Sequence, residues 1–87
     1  MKRPGRSTVR LFRGMHERLV DEAFQRYLDW CDEAAALDAA YRKWTKAPRG
    51  ERRLAFAAYS AALEREELAS AQYQTLLEAA EQMLTTP

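Results

Sequence analysis

The sequence predicts an all-α fold: two long helices folded back on each other as an antiparallel hairpin. Three observations carry this expectation. Apolar residues recur every three or four positions along most of the chain, the period of an α-helix. Alanine is abundant while glycine and the β-branched residues are few, a composition that favours helix over sheet. Between Gly14 and Gly50 only Pro48 interrupts the pattern, so one break divides two long periodic runs.

Residues 1–7 begin as MKRPGR, with Pro4, Gly5 and three basic residues, and read as a disordered basic arm. The remainder, 8–87, reads as a single helical-hairpin domain. Ser7 or Thr8 is a candidate N-cap for helix 1, expected over about 8–46. Its apolar positions form a heptad. One row holds Val20, Tyr27, Ala34 and Tyr41, and its partner row holds Ala23, Trp30, Leu37 and Trp44. Phe24 and Cys31 flank the seam on one side and Leu19 on the other. Gly14 is the weak point of the first turns, where it frays or kinks the helix at a cost of about 1 kcal/mol relative to alanine.

The turn is expected at 46–50. Ala47, ahead of a proline, is biased away from helical geometry, and Pro48 suits the first turn of a new helix. Helix 2 is then expected over about 50–84. Its seam reads Tyr59, Ala62, Glu66, Ala69, Tyr73, Leu76, Ala80 and Met83, with Phe56, Leu63, Ser70, Leu77 and Leu84 as a flanking row. Folding about the turn sets Trp44 near Phe56, Leu37 near Tyr59, Ala34 near Leu63 and Trp30 near Glu66.

These stripes are wider than one hairpin can hide. Two helices share a single contact line, yet helix 1 alone carries Phe12, Phe24, Tyr27, Trp30, Tyr41 and Trp44. Left in water, such area costs about 25 cal/mol per Å2. Two hairpins pairing into a four-helix bundle cover it, so a homodimer is expected. The residues of the dimer and hairpin seams are Val20, Phe24, Tyr27, Trp30, Leu37, Tyr41, Trp44, Phe56, Tyr59, Leu63, Tyr73, Leu76 and Leu77.

Glu66 interrupts the apolar row of helix 2. It is either a buried carboxylate, reached by Arg26, the Tyr27 hydroxyl or the Trp30 indole, or an outward-pointing edge residue beside Glu64, Arg65 and Glu67. Asp29, Asp32 and Glu33 share a helix face. The single histidine, His16, lies in no Glu-x-x-His motif, so that face reads as solvated rather than as a metal site. Cys31 has Asp29, Asp32 and Glu33 beside it rather than the basic or histidine neighbours of a reactive thiol, and reads as a small core residue. No nucleophilic triad, phosphate-binding glycine loop or CxxC pair is present, so neither an enzyme nor a cofactor is expected.

Formal net charge is +1, but the charge is unevenly placed. Basic residues gather in 1–13 and in 41–53 (YRKWTKAPRGERR), whereas 21–38 and 54–87 are acidic. Arg42, Lys43 and Lys46 suit a helix C-terminus. Arg49, Arg52 and Arg53 stand where a helix start prefers acids, and are the candidate corner for an anionic partner. The expected function is therefore a non-enzymatic interaction protein, dimeric with itself and bound to another protein. The alternatives are a small nucleic-acid-associated protein using the arm and the turn, or one subunit of a heterodimeric helical complex. With one cysteine no intramolecular disulfide can form, so a cytoplasmic setting is expected. The excess of arginine over lysine and the richness in alanine suggest a GC-rich genome.

The layout loosely resembles the Trp-x-Gly helical-hairpin family of small secreted actinobacterial proteins, in which a tryptophan marks the turn. Trp44 holds that place here, followed by Thr45 and Lys46 where the family has a glycine two positions on. The family's C-terminal Tyr-x-x-x-Asp/Glu export signal is not matched, since Tyr73 is followed four residues later by Leu77. The resemblance implies a hairpin that dimerises into a four-helix bundle, and does not imply export.

Overall fold

Two helices account for nearly all of the described backbone. The structure, a computed structural model, describes residues 6–85, with side chains from residue 14 onward. Helix α1 spans Arg6–Lys46 and helix α2 spans Arg52–Thr85. A single 3-10 turn, Arg49–Glu51, joins them. They pack side by side in an envelope of 74 × 16 × 12 Å, two helices wide and one deep. The chain is thus an all-α helical hairpin. No helix among the described residues is long and apolar enough to cross a membrane.

Helix α1 starts earlier than the sequence suggests. Arg6 and Ser7 are already helical, so Ser7 and Thr8 are interior positions rather than caps. The remainder of the expected disordered arm, residues 1–5, lies outside the described residues. Gly14 neither ends nor divides α1, which runs through it unbroken. Forty-one residues of uninterrupted hydrogen bonding outweigh one unfavourable propensity.

The turn is built from few bonds. The Thr45 hydroxyl donates to the Arg42 carbonyl at 2.9 Å, and the Ala47 amide donates to the Trp44 carbonyl at 3.3 Å. Pro48 is extended, at φ −61° and ψ 156°, and caps the 3-10 turn instead of entering a helix. Its carbonyl accepts from the Glu51 amide at 2.9 Å. This tight turn delays α2 to Arg52, two residues beyond the expected start. Gly50 does not use its left-handed freedom, because no described residue has positive φ.

The cross-helix register follows the expected one. The Trp44 and Phe56 rings lie 5.1 Å apart, Tyr27 and Tyr73 5.6 Å apart, and Trp30 reaches Glu66.

The contact line itself is made of alanines. Ala23, Ala62, Ala69 and Ala80 are the buried apolar residues, and none of the described large side chains is fully buried. Small residues at a crossing let helix axes approach to about 8 Å. Trp30, Leu37 and Trp44 line the contact half-buried.

Candidate functional site

The α1 row of Val20, Tyr27, Ala34 and Tyr41 flanks the contact line instead of being buried in it. All four are exposed, as are Phe24, at 61%, and Cys31. Cys31 is therefore not a core residue of the hairpin. The reason is geometric: α2 covers the Ala23, Trp30, Leu37 and Trp44 row, and a stripe wider than one contact line must overflow it. On α2, Phe56 and Leu77 are exposed toward the same side, while Tyr59, Leu63, Tyr73 and Leu76 are half-buried.

The overflow forms two aromatic clusters. Near the turn, Trp44 stacks on Tyr59 at 5.3 Å, with Phe56 5.1 Å from Trp44 and Tyr41 5.8 Å from Tyr59. In the middle of the hairpin, Trp30 stacks on Tyr73 at 5.8 Å. Tyr27 packs beside both, 5.6 Å from Tyr73 and 6.2 Å from Trp30. Ring pairs of this kind contribute about 0.5–1.5 kcal/mol beyond area burial, and here they splint the two helices together. Each cluster turns one edge to solvent, with Tyr27 41% and Tyr41 48% exposed. Between Val20, Phe24 and Tyr27 on α1 and Tyr73 and Leu77 on α2 lies an open apolar groove of about 300 Å3, floored by Ala23 and Ala80. The Cys31 thiol beside Tyr27 pushes the Tyr27 hydroxyl above its usual pKa by hydrogen bonding and by charge. Burial and Tyr73 add to this.

Glu66 sits at the inner edge of this face. The Trp30 indole N–H donates to Glu66 Oε1 at 2.8 Å, the sole carrier among the three groups that the sequence placed within reach. Glu66 is thus neither an outward edge residue nor a buried one. It is half-buried, turned toward α1, and satisfied. The bond ties Trp30 to α2 a second time, beside its stack on Tyr73.

The other side of the hairpin carries ion pairs, with Leu68 exposed among them. Arg65 Nε donates to Glu33 at 3.3 Å across the helices, and Arg26 pairs with Asp29 at 3.5 Å along α1. Asp29, Asp32 and Glu33 flank a shallow cleft with Arg65, Leu68 and Gln72. Among the described residues no three His, Cys, Asp or Glu side chains converge as metal ligands.

At the turn, Arg42 pairs with Asp38 at 2.9 Å, while Lys43 and Lys46 occupy the last turn of α1. Arg49 lies in the 3-10 turn, and Arg52 and Arg53 open α2, whose first turn holds no acid. All three arginines are exposed. None of them lines the large groove beside the turn. That groove, of about 900 Å3, has a floor of Ala36, Ala39, Ala40, Ala47, Ala55 and Ala58 and a rim that includes Arg42, Lys43, Lys46 and Arg65. Leu54, 78% exposed, stands at its edge. Heptad reading passed over this groove because alanine fits any helix face. The available signal was that 54–63 (LAFAAYSAAL) contains no charged residue on any side. Comparison of the chain with protein-family models, curated proteins and solved structures finds no match.

Proposed function

We propose that this chain is a non-enzymatic interaction protein that acts as a homodimer, each hairpin covering the other's aromatic face to complete a four-helix bundle. The observation that carries this reading is the uncovered row from Val20 to Tyr41 with Phe56 and Leu77 beside it. From Val20 to Trp44 this face runs about 36 Å along α1 and is two helices wide, so covering it removes roughly 700–800 Å2 per copy. That is the size of a standard stable interface, about 800 Å2 per partner, and larger than the scattered apolar exposure of ordinary monomers. A four-helix arrangement supplies the enclosed core that one contact line cannot.

Light scattering on the purified chain tests this. The reading expects twice the 10.1 kDa of one chain, falling to 10.1 kDa when Phe24→Glu or Tyr27→Glu places a carboxylate in the face. A wild-type mass of 10.1 kDa across the micromolar range rejects it. A second reading, nucleic-acid association through the arm and the turn, is favoured by the exposed Lys43, Lys46, Arg49, Arg52 and Arg53. It requires binding to DNA or RNA at about 50 mM salt, where phosphate contacts are strong, with a steep loss as salt rises.

A further inference from the structure

We propose that the alanine-floored groove beside the turn receives an acidic amphipathic helix from a partner protein. This deepens the interaction-protein reading and rests on it, but not on the dimer, because the groove and the aromatic face share no lining residue. The first observation is α2 itself. Over Leu54–Leu63 it carries no charge in any direction. A helix that is apolar all round is ordinarily covered all round. Here α1 covers one side and the aromatic face takes a second. The side bearing Leu54, Ala55 and Ala58 faces solvent across the groove.

Shape and charge then define the occupant. Ala36, Ala40, Ala55 and Ala58 form a smooth floor that lets a third helix approach to about 8 Å between axes. Leu54 projects at the edge as an apolar anchor. Lys43 and Lys46 line the groove and, among the described residues, form no ion pair. A helix seated here meets alanine along its centre and, on its flank, two ammonium groups against one lining carboxylate, Glu51, so it needs a small or apolar stripe with acids beside it. Nucleic acid fits less well. A phosphate backbone gains nothing from an alanine floor, and the groove runs through Arg65 into the cleft of Asp29, Asp32 and Glu33, which repels phosphate.

The test titrates the full chain into a fluorescently labelled synthetic helix of about 18 residues with a Leu/Ala stripe and glutamate flanks, read by anisotropy. The control peptide carries lysine flanks, and a DNA duplex of about 20 base pairs is run in parallel. The glutamate peptide should bind about tenfold or more tightly than the lysine peptide, the scale of losing a flanking charge set or an anchor. Leu54→Glu and the pair Lys43→Glu with Lys46→Glu should each weaken it about tenfold while circular dichroism and solution mass stay unchanged. Four results overturn the proposal: no binding of the glutamate peptide, equal binding of both peptides, tighter binding of the duplex, or a fall in solution mass in Leu54→Glu. The last would make the groove a contact between copies of this chain. Because solution mass is read separately, failure of the groove and failure of the dimer are told apart.

Discussion

The two sides of this hairpin use the same pair of helices to opposite ends. On the polar side, Arg65 with Glu33 and Arg26 with Asp29 satisfy one another in water. Solvated pairs like these contribute only about 0–1 kcal/mol each and need no partner. On the aromatic side, Tyr27 and Tyr41 complete ring clusters yet leave an edge in solvent, beside a fully uncharged Val20, Phe24 and Leu77. Beyond the tyrosine hydroxyls, that side shows water mainly ring and aliphatic surface. The ion pairs are complete in the single chain, whereas the aromatic face is not, which makes that face the candidate interface between copies.

Substitutions can break or sharpen that contrast. The largest effect is expected from Phe24→Glu or Tyr27→Glu, which should abolish the proposed dimer and, with it, much of the cooperative thermal transition followed by circular dichroism. Trp44→Ala should cost about 3 kcal/mol in urea unfolding, near the low end for truncating a large aromatic because Trp44 is only half-buried. Trp30→Phe keeps the stack on Tyr73 but leaves Glu66 without its donor, and should cost about 1 kcal/mol. Gly14→Ala should stabilise by about 0.5–1 kcal/mol, since α1 is continuous there and an added Cβ meets nothing within 4 Å. Smallest of all, Arg65→Ala on the polar side should change stability by about 0.5 kcal/mol or less. An Arg65→Ala cost rivalling that of Trp44→Ala would erase the distinction between the sides.

The outline was open to reading from the sequence because it rests on local signals. Pro48 sets the turn, and the three-and-four spacing sets the stripes, so Trp44 meets Phe56 and Trp30 meets Glu66 as expected. Periodicity also gives the width of a stripe. It does not say which part of the width the neighbouring helix covers, which is why Cys31 reads as core from its spacing and yet is exposed. Glu66 was ambiguous for the same reason, because a charge within an apolar row is inward or outward according to a rotation of a few tens of degrees. The groove at the turn was harder still. Alanine is compatible with a core, a surface or a docking floor, and only the uncharged run from Leu54 to Leu63 hinted at it.

Cys31 offers the most direct measurement, because it is the only thiol in the chain and lies on the aromatic face beside Tyr27. In an isolated hairpin it is exposed, whereas in the proposed bundle it is covered by the second copy. The rate of its reaction with a small disulfide reagent should be about tenfold or more slower in the native chain at tens of micromolar than in Phe24→Glu, as expected when opening must precede reaction. It should rise toward the Phe24→Glu rate as the native chain is diluted. Equal rates in the two proteins, unchanged on dilution, would show the aromatic face standing open and contradict the account.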